Sequence, residues 1–364
     1  MKRILFCGSY LQKEESIRIK NPQEASNNFQ HEFISKLKKY CAVDVLSYIC
    51  FDLEDENRTK RALADAGIYS VIKSNVITTY KEYYKLFSTL IKNKPDKVIV
   101  YNMNYMYSFV WMICKIHKIK CSLIIADYTP YIEEKTLGGK IKAIICGVQL
   151  NCFPEHIILS PELYKKMKRK NSILLQGGVN PKKYEDFEIS RIRDKVHIVF
   201  SGALEYSTGI DQFLKAIEKI SDQNIHISIS GNGSLRNLVE KEAMNDNRIE
   251  YVGFLSEAEY LNMLKSANIL VNPRNMDLLQ SKNNFPSKIL EYLATGRPII
   301  STQFSGFEYF ENHIIFYSGN YEELEAAIKN IVENYEEISN KMFSSNRDFV
   351  KQFYWDEQIK RVIC

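Results

Sequence analysis

The 364-residue sequence predicts an α/β protein of two doubly wound parallel-sheet domains. Three observations carry that prediction. Short apolar runs alternate with helical runs, which is how strands covered by helices on both faces read. The alternation stops in a charge-dense stretch at 182–195 and starts again at His197. A single hydrophobic core stops growing near roughly 250–300 residues, so a chain of this length divides. The expected domains are 1–180 and 190–344, followed by a helical tail at about 345–364.

Arg3 to Cys7 is a short apolar strand ending at Gly8. A helical run comes next, from about Asn27 to Tyr40, then a strand from Val43 to Tyr48. Thr79 to Asn93 reads as a helix, because its tyrosines, Phe87 and leucines recur at helical spacing and Pro95 stops it. Lys97 to Tyr101 is a buried strand, Tyr105 to His117 a helix, and Cys121 to Ala126 a strand.

The second half repeats the grammar. Strands are expected at His197–Phe200, His226–Ser230, Ile249–Val252, Ile269–Asn272 and Pro298–Ser301. Helices are expected at Gly209–Ser221, Ser256–Ser266, Pro286–Thr295 and Tyr321–Asn334, with a helical tail from Ser344 to Cys364. Gly202, Gly231 and Gly233 come after strands, and ligands of doubly wound sheets bind at the carboxyl ends of strands. Two such domains in succession place a cleft between them.

Net charge is +5, but its distribution is uneven: residues 1–180 carry 28 Lys/Arg against 17 Asp/Glu, and the remainder 21 against 27. A basic first half suits an anionic partner such as a membrane surface or lipid phosphate. The sharpest basic cluster is 165–170, and Gly139 to Ile145 mixes lysine with apolar residues. No nucleic-acid module accompanies the charge, so nucleic acid is not an expected partner. Eight scattered cysteines form no Cys-x-x-Cys pair, which reads as buried free thiols in a reducing compartment. The first apolar stretch is too short for a signal peptide, and the longest, Met103 to Cys114, falls short of the roughly 20 residues that span a bilayer. A cytoplasmic protein, at the inner face of the membrane, is the expected localisation. The six histidines make no metal pattern, and His197 and His226 read as structural. No metal and no cofactor are expected.

The chemistry concentrates in Asn283-Asn284-Phe285-Pro286-Ser287-Lys288-Ile289-Leu290-Glu291. A loop enters a helix at Pro286, a residue suited to the first helical position, and helix N-termini bind phosphates. Lys288 in the first turn opposes the helix dipole unless an anion lies nearby. Glu291 sits one turn on, where a carboxylate can accept two hydrogen bonds from a ribose diol. From these residues alone, an amphipathic helix with a surface Lys and Glu is the simpler reading.

This segment, closing with Gly296-Arg297-Pro298-Ile299-Ile300, resembles the signature of family 4 glycosyltransferases of the GT-B fold. The resemblance extends over most of residues 150–345 through Gly177-Gly178-Val179-Asn180, Phe200-Ser201-Gly202-Ala203-Leu204, Ile229-Ser230-Gly231-Asn232-Gly233, Val252-Gly253-Phe254-Leu255 and Ala267-Asn268-Ile269-Leu270-Val271-Asn272-Pro273. It implies two Rossmann-like domains facing a cleft, with the last helix crossing back to the N-terminal domain. It also implies a retaining transfer from a nucleotide-sugar, most simply UDP-linked. The C-terminal domain would hold the donor and the N-terminal domain the acceptor. Trp355 in the tail would be an interdomain packing residue.

The residues so implied for the donor are Glu291, Lys288, Arg274, Phe285, Pro286, Ser287, Gly202, Gly231, Gly233, Phe254 and Gly8. Asn283 stands where the family has its first glutamate, against the sugar. Asp127, after Ile124-Ile125-Ala126, stands near the family's sugar-contacting histidine and is a candidate catalytic base or a turn cap. The family's basic pair for the diphosphate falls at Ala203 and Thr208, so both charges are missing and Arg274 and Lys288 are the nearest substitutes. Some bacterial surface-polysaccharide transferases have a similar Phe-Pro-Ser-Lys version. The expected acceptor is a saccharide or lipid-linked saccharide of surface polysaccharide or glycoconjugate synthesis. The alternatives are a catalytically silent GT-B partner subunit that binds acceptor or another transferase, and a sugar-nucleotide epimerase.

Overall fold

The computed structural model describes residues 1–19, 24–126, 136–167 and 171–363. The chain forms two compact units, one of Met1–Gly177 with Trp355–Cys364, the other of Gly178–Tyr354.

The first unit is built on strands β1 (Arg3–Gly8), β2 (Ala42–Ile49), β3 (Ile68–Ile72), β4 (Lys97–Tyr101), β5 (Lys120–Ile125), β6 (Glu155–Ile158) and β7 (Ser172–Leu174). They pair in the order β3-β2-β1-β4-β5-β6-β7, all parallel. Parallel strands are buried on both faces, and β4 illustrates it. Val98 and Val100 enter one core with the helices Val76–Ile91, Val110–Ile116 and Pro161–Met167. Ile99 and Tyr101 enter the opposite core with the helices Glu24–Leu37, Glu56–Asp65 and Trp355–Ile363.

The expected helix at 105–117 is a 3-10 turn, Tyr105–Tyr107, and then a shorter helix, Val110–Ile116. Asn104 caps the first by accepting from the Met106 amide at 3.0 Å. Strands β3, β6 and β7 and the helices Glu56–Asp65 and Leu137–Cys152 are additions to the elements expected from sequence.

The second unit has β8 (Val196–Ser201), β9 (Ile225–Ser230), β10 (Ile249–Gly253), β11 (Ile269–Asn272), β12 (Ile299–Thr302) and β13 (Ile315–Tyr317). Their order is β10-β9-β8-β11-β12-β13, again all parallel. In both units the order reverses beside the first strand, between β1 and β4 and between β8 and β11.

The charge-dense stretch at 182–195, whose lack of a strand reads in the sequence as a linker, is bonded to the second unit. Arg347 donates to the carbonyls of Phe187 at 2.7 Å and Tyr184 at 3.0 Å. Arg297 donates to Glu188 O and, at 2.8 Å, to Lys265 O. Tyr184 and Phe187 are buried in the core of the second unit. Desolvation pulls the Arg297 guanidinium down to about 10.

The tail is three segments rather than one helix: Tyr335–Phe349, a 3-10 turn at Val350–Phe353, and Trp355–Ile363. Tyr354 breaks the run with an extended backbone, φ −62° and ψ 137°. The last helix belongs to the first unit. Trp355 is a core residue there, its ring edge-on to Phe29 at 5.3 Å and to Phe33 at 6.3 Å. All seven described cysteines are free thiols. His197 and His226 are tied into the strand starts through Ser228, at 2.8 and 3.3 Å.

Candidate functional site

The candidate site lies in the second unit, at the carboxyl ends of its strands. The end of β8 meets the end of β9 at van der Waals limits. Gly231 has φ +138°, and a β-carbon there would fall 1.7 Å from the Gly202 carbonyl oxygen. A glycine is therefore required by backbone conformation and by space at once. A β-carbon at Gly233 would fall 2.4 Å from Leu204 O. Gly202 N donates to Ser230 O at 3.1 Å, and Gly231 N to Gly253 O at 2.8 Å. Tyr251 closes the corner by donating to Gly231 O at 2.9 Å.

Lys288 opens the helix Lys288–Thr295. The helix begins later than the expected start at Pro286. Pro286 and Ser287 form a tight turn that accepts from the amides of Ile289 at 3.0 Å and Leu290 at 3.1 Å. Two of the amides expected to face a ligand are thus used internally. The cation takes their place. Lys288 Nζ donates to Ser201 O at 2.7 Å and to Ser201 Oγ at 2.9 Å. Ser201 Oγ in turn accepts from Ser230 Oγ at 2.8 Å. The half-buried ammonium lies 5.1 Å from the centre of the Tyr260 ring. Burial pulls it down to about 8, against the opposing attraction of Glu291.

Glu291 is reached from another element. Tyr260, on the helix Glu257–Ser266, donates its hydroxyl to Glu291 Oε2 at 2.9 Å. That helix is fixed by a capping box, Ser256 accepting from the Glu259 amide while Glu259 accepts from the Ser256 amide. Burial and the Glu291 charge push the Tyr260 phenol well above its ordinary range, so it stays a donor at any physiological pH. Nothing in the sequence singles out Tyr260, which lies 31 residues before its partner.

The positions of the missing basic pair bond to each other. Thr208 Oγ1 donates to Ala203 O at 2.6 Å and to Glu205 O at 2.8 Å, closing the loop after β8. Glu205 then accepts from the Ser234 amide at 2.8 Å and from the Ser234 hydroxyl, which holds its carboxyl below the usual range. A β-carbon at Gly209 would fall 1.5 Å from Pro273 O, so the same loop presses on the end of β11. Arg274 comes just after that strand end, half-buried.

The remaining expected residues divide. Phe254 is 68% exposed beyond β10. Ser287 is exposed, while Phe285 and Pro286 are buried. Phe285 packs on Phe304 at 5.5 Å and Phe310 at 5.8 Å, so it anchors the turn that carries Ser287 and Lys288. Asn283, only 4% exposed, ends the short helix Leu279–Asn283.

Gly8 ends β1 in the first unit, where a β-carbon would fall 2.2 Å from Gln30 Oε1, an oxygen that also accepts from the Ser9 amide at 3.0 Å. Asp127 lies outside the described residues. Ala126, just before it, donates its amide at 2.8 Å to Asn102, which adopts φ 58° after β4, and so joins the ends of β4 and β5. Among the described residues no group of three or more His, Cys, Asp or Glu is placed to hold a metal.

The strand ends that converge here fall in a stretch shared with known proteins. Residues 195–334 match the family model described as Glycosyl transferases group 1. An uncharacterized glycosyltransferase of Methanocaldococcus jannaschii is 22% identical over 178 residues, 47% of this chain and 44% of the relative. The alignment thus spans less than half of that relative's length. Across the whole chain, the crystal structure of Anabaena HepE in complex with UDP superposes with a TM-score of 0.73 at 12% identity, covering 98% of that chain. A glycosyltransferase from Rickettsia africae gives 0.71 at 14% identity and 97% coverage. The fold is GT-B. At these identities the solved structures establish the architecture of this GT-B chain and nothing of its chemistry.

Proposed function

We propose that the chain is a glycosyltransferase that moves a sugar from a nucleoside diphosphate donor, UDP-linked, to a saccharide hydroxyl with retention of anomeric configuration. The bond from the anomeric carbon to the diphosphate oxygen breaks, and a bond to the acceptor oxygen forms. The acceptor hydroxyl loses its proton and the nucleoside diphosphate leaves.

The observation that carries this reading is the Lys288 ammonium at the end of β8. It is a cation at a helix start, partly desolvated and held by neutral oxygens of Ser201. A bound anion relieves an arrangement that the helix dipole and burial both oppose. A diphosphate developing charge as it leaves is such an anion, and preorganised donors stabilise that charge. Glu291, one turn away, suits the ribose hydroxyls, while Gly202 leaves open space at the end of β8 and Gly231 and Gly233, packed against the Gly202 and Leu204 carbonyls, shape the loop assigned to the donor. Arg274, Ser287 and Phe254 remain assigned to the donor and Asn283 to the sugar in this reading.

Acceptor recognition is assigned to the N-terminal unit, with a lipid-linked saccharide of surface polysaccharide or glycoconjugate synthesis as the acceptor class. Its support is an asymmetry between the two helix layers of that unit. The helices Val76–Ile91, Val110–Ile116, Leu137–Cys152 and Pro161–Met167 carry seven Lys against two Glu in sequence. Leu137, Ile141, Ile144 and Val148 form an exposed stripe at helical spacing on one of them. The helices Glu24–Leu37, Glu56–Asp65 and Trp355–Ile363 of the other layer carry six basic and six acidic residues. Basic residues beside an apolar stripe suit an anionic bilayer surface, and with it a position at the inner face of the membrane. No described helix is long and apolar enough to cross a membrane.

The test is release of UDP from UDP-sugars by the full chain, with Glu291→Ala alongside. Release that depends on an added acceptor and falls in the variant supports the reading. Failure to bind any nucleoside diphosphate supports the silent-partner alternative instead.

A further inference from the structure

Lys288 and Glu291 are three residues apart on one helix, a spacing at which opposite charges pair directly. Tyr260 engages both. Its hydroxyl donates to Glu291 Oε2 at 2.9 Å, and its ring face lies 5.1 Å from the Lys288 ammonium. The ammonium turns instead to Ser201 O at 2.7 Å and Ser201 Oγ at 2.9 Å. We propose that Tyr260 is a spacer that keeps Lys288 and Glu291 from neutralising each other, so that the cation faces the diphosphate and the carboxylate faces the ribose diol of the donor. This rests on the donor-site reading given above and adds the positioning residue that makes it work.

The chemistry of the tyrosine suits the task. A carboxylate that accepts one phenolic hydrogen bond keeps its second oxygen for a ligand. An ammonium over an aromatic face is attracted to it without losing charge, which an ion pair with Glu291 would offset. The groups set against Lys288 are Ser201 from β8, Tyr260 from the helix Glu257–Ser266 and Glu291 from its own helix. The Tyr260 phenol is held protonated, and so by burial is the Tyr292 phenol, which lies against Ser201 and Glu291. Tyr260 touches no reacting atom in this scheme and acts through its two neighbours.

The deciding variant is Tyr260→Phe, which deletes one hydroxyl and keeps the ring. Glu291 is then released to pair with Lys288. Three readouts separate a spacer from a merely structural residue. The affinity for UDP should fall by about tenfold, the loss of one charge-assisted contact. The pH midpoint above which UDP binding weakens should move upward, because Lys288 gains a carboxylate partner. The melting temperature should stay level or rise. Tyr260→Leu, which also removes the ring, should lower affinity further. Unchanged UDP affinity in Tyr260→Phe overturns the proposal, and so does a loss of affinity accompanied by a lower melting temperature and an unmoved midpoint. Titration of the Lys288 side chain by NMR in the free protein keeps the two readings apart. If the wild type binds no nucleoside diphosphate but Tyr260→Phe still raises the Lys288 titration midpoint, the donor reading fails and the spacing role stands. An unmoved midpoint there sinks the spacer whatever the nucleotide does.

Discussion

The two units share a parallel sheet whose order reverses beside the first strand, yet they finish that strand differently. At the end of β1, the space next to Gly8 is filled by Gln30, a fully buried side chain of the same unit. At the end of β8, a β-carbon at Gly202 would meet nothing nearer than the Phe200 ring at 3.7 Å, and the Lys288 ammonium reaches Ser201 from a helix start. The first arrangement sets a neutral amide side chain against the strand end. The second keeps a cation and several close backbone groups at the switch point where doubly wound sheets bind ligands. One architecture therefore carries a neutral amide at this strand end in one copy and a cation in the other. The side chain that reaches the strand end, Gln30 or Lys288, decides which.

The largest expected effect breaks the second arrangement outright. Gly231→Ala sets a β-carbon against the Gly202 carbonyl at an unfavourable φ, and should destabilise the chain by about 3 kcal/mol in denaturant melts. Next, Lys288→Met should weaken UDP binding by about 2 kcal/mol, roughly 30-fold, in calorimetry. The same variant should melt no lower than wild type without ligand. Because the folded Lys288 titrates at about 8, below the ordinary lysine value, the native state holds fewer protons than the unfolded chain above that pH. Its contribution to stability therefore improves as pH rises from about 8 towards the ordinary lysine range, and an uncharged side chain has nothing to lose at neutral pH.

Donor binding runs the opposite way with pH. The protonated ammonium binds the diphosphate, so affinity should be steady up to about pH 7 and fall by about tenfold by pH 9. Smaller still, Gly8→Ala should destabilise by about 1 kcal/mol as Gln30 shifts, and leave UDP affinity close to wild type. An affinity loss there matching that of Lys288→Met would erase the contrast between the two strand ends. The smallest effect concerns the helix layers of the first unit. Ile144→Asp should reduce co-sedimentation with anionic phospholipid vesicles a few-fold and change nothing with neutral vesicles.

How much of the fold is legible in the sequence depends on how local each signal is. Lys97–Tyr101 announces itself because every residue from Val98 to Tyr101 is buried and the run is continuously apolar. The strands Ser172–Leu174 and Ile315–Tyr317 have three residues each, too few for any periodicity. The helix Arg236–Asn245 is hard to read because Val239 is its one buried residue and its polar sequence resembles a loop. The tail reads as one helix because nothing in Gln352-Phe353-Tyr354-Trp355 is a helix breaker; the extended Tyr354 instead leads into Trp355, which packs on Phe29 and Phe33, partners far back in the sequence that no local pattern reveals.

At the site, Lys288 and Glu291 are legible because they share a helix and a motif. Their partners are not. Ser201 lies 87 residues from Lys288, and Tyr260 comes from a helix whose sequence gives it no special mark. Thr208 and Ala203 stand out only as absent charges, and their mutual hydrogen bond shows a loop closed where a cation was expected.

The most direct measurement is calorimetric titration of UDP into the full chain at pH 7, wild type beside Lys288→Met. Saturable binding to the wild type that weakens above about pH 8 is expected, with a roughly 30-fold loss in the variant. Equal affinity in the two proteins, or no binding of UDP, GDP or ADP to the wild type at millimolar concentration, would contradict that expectation.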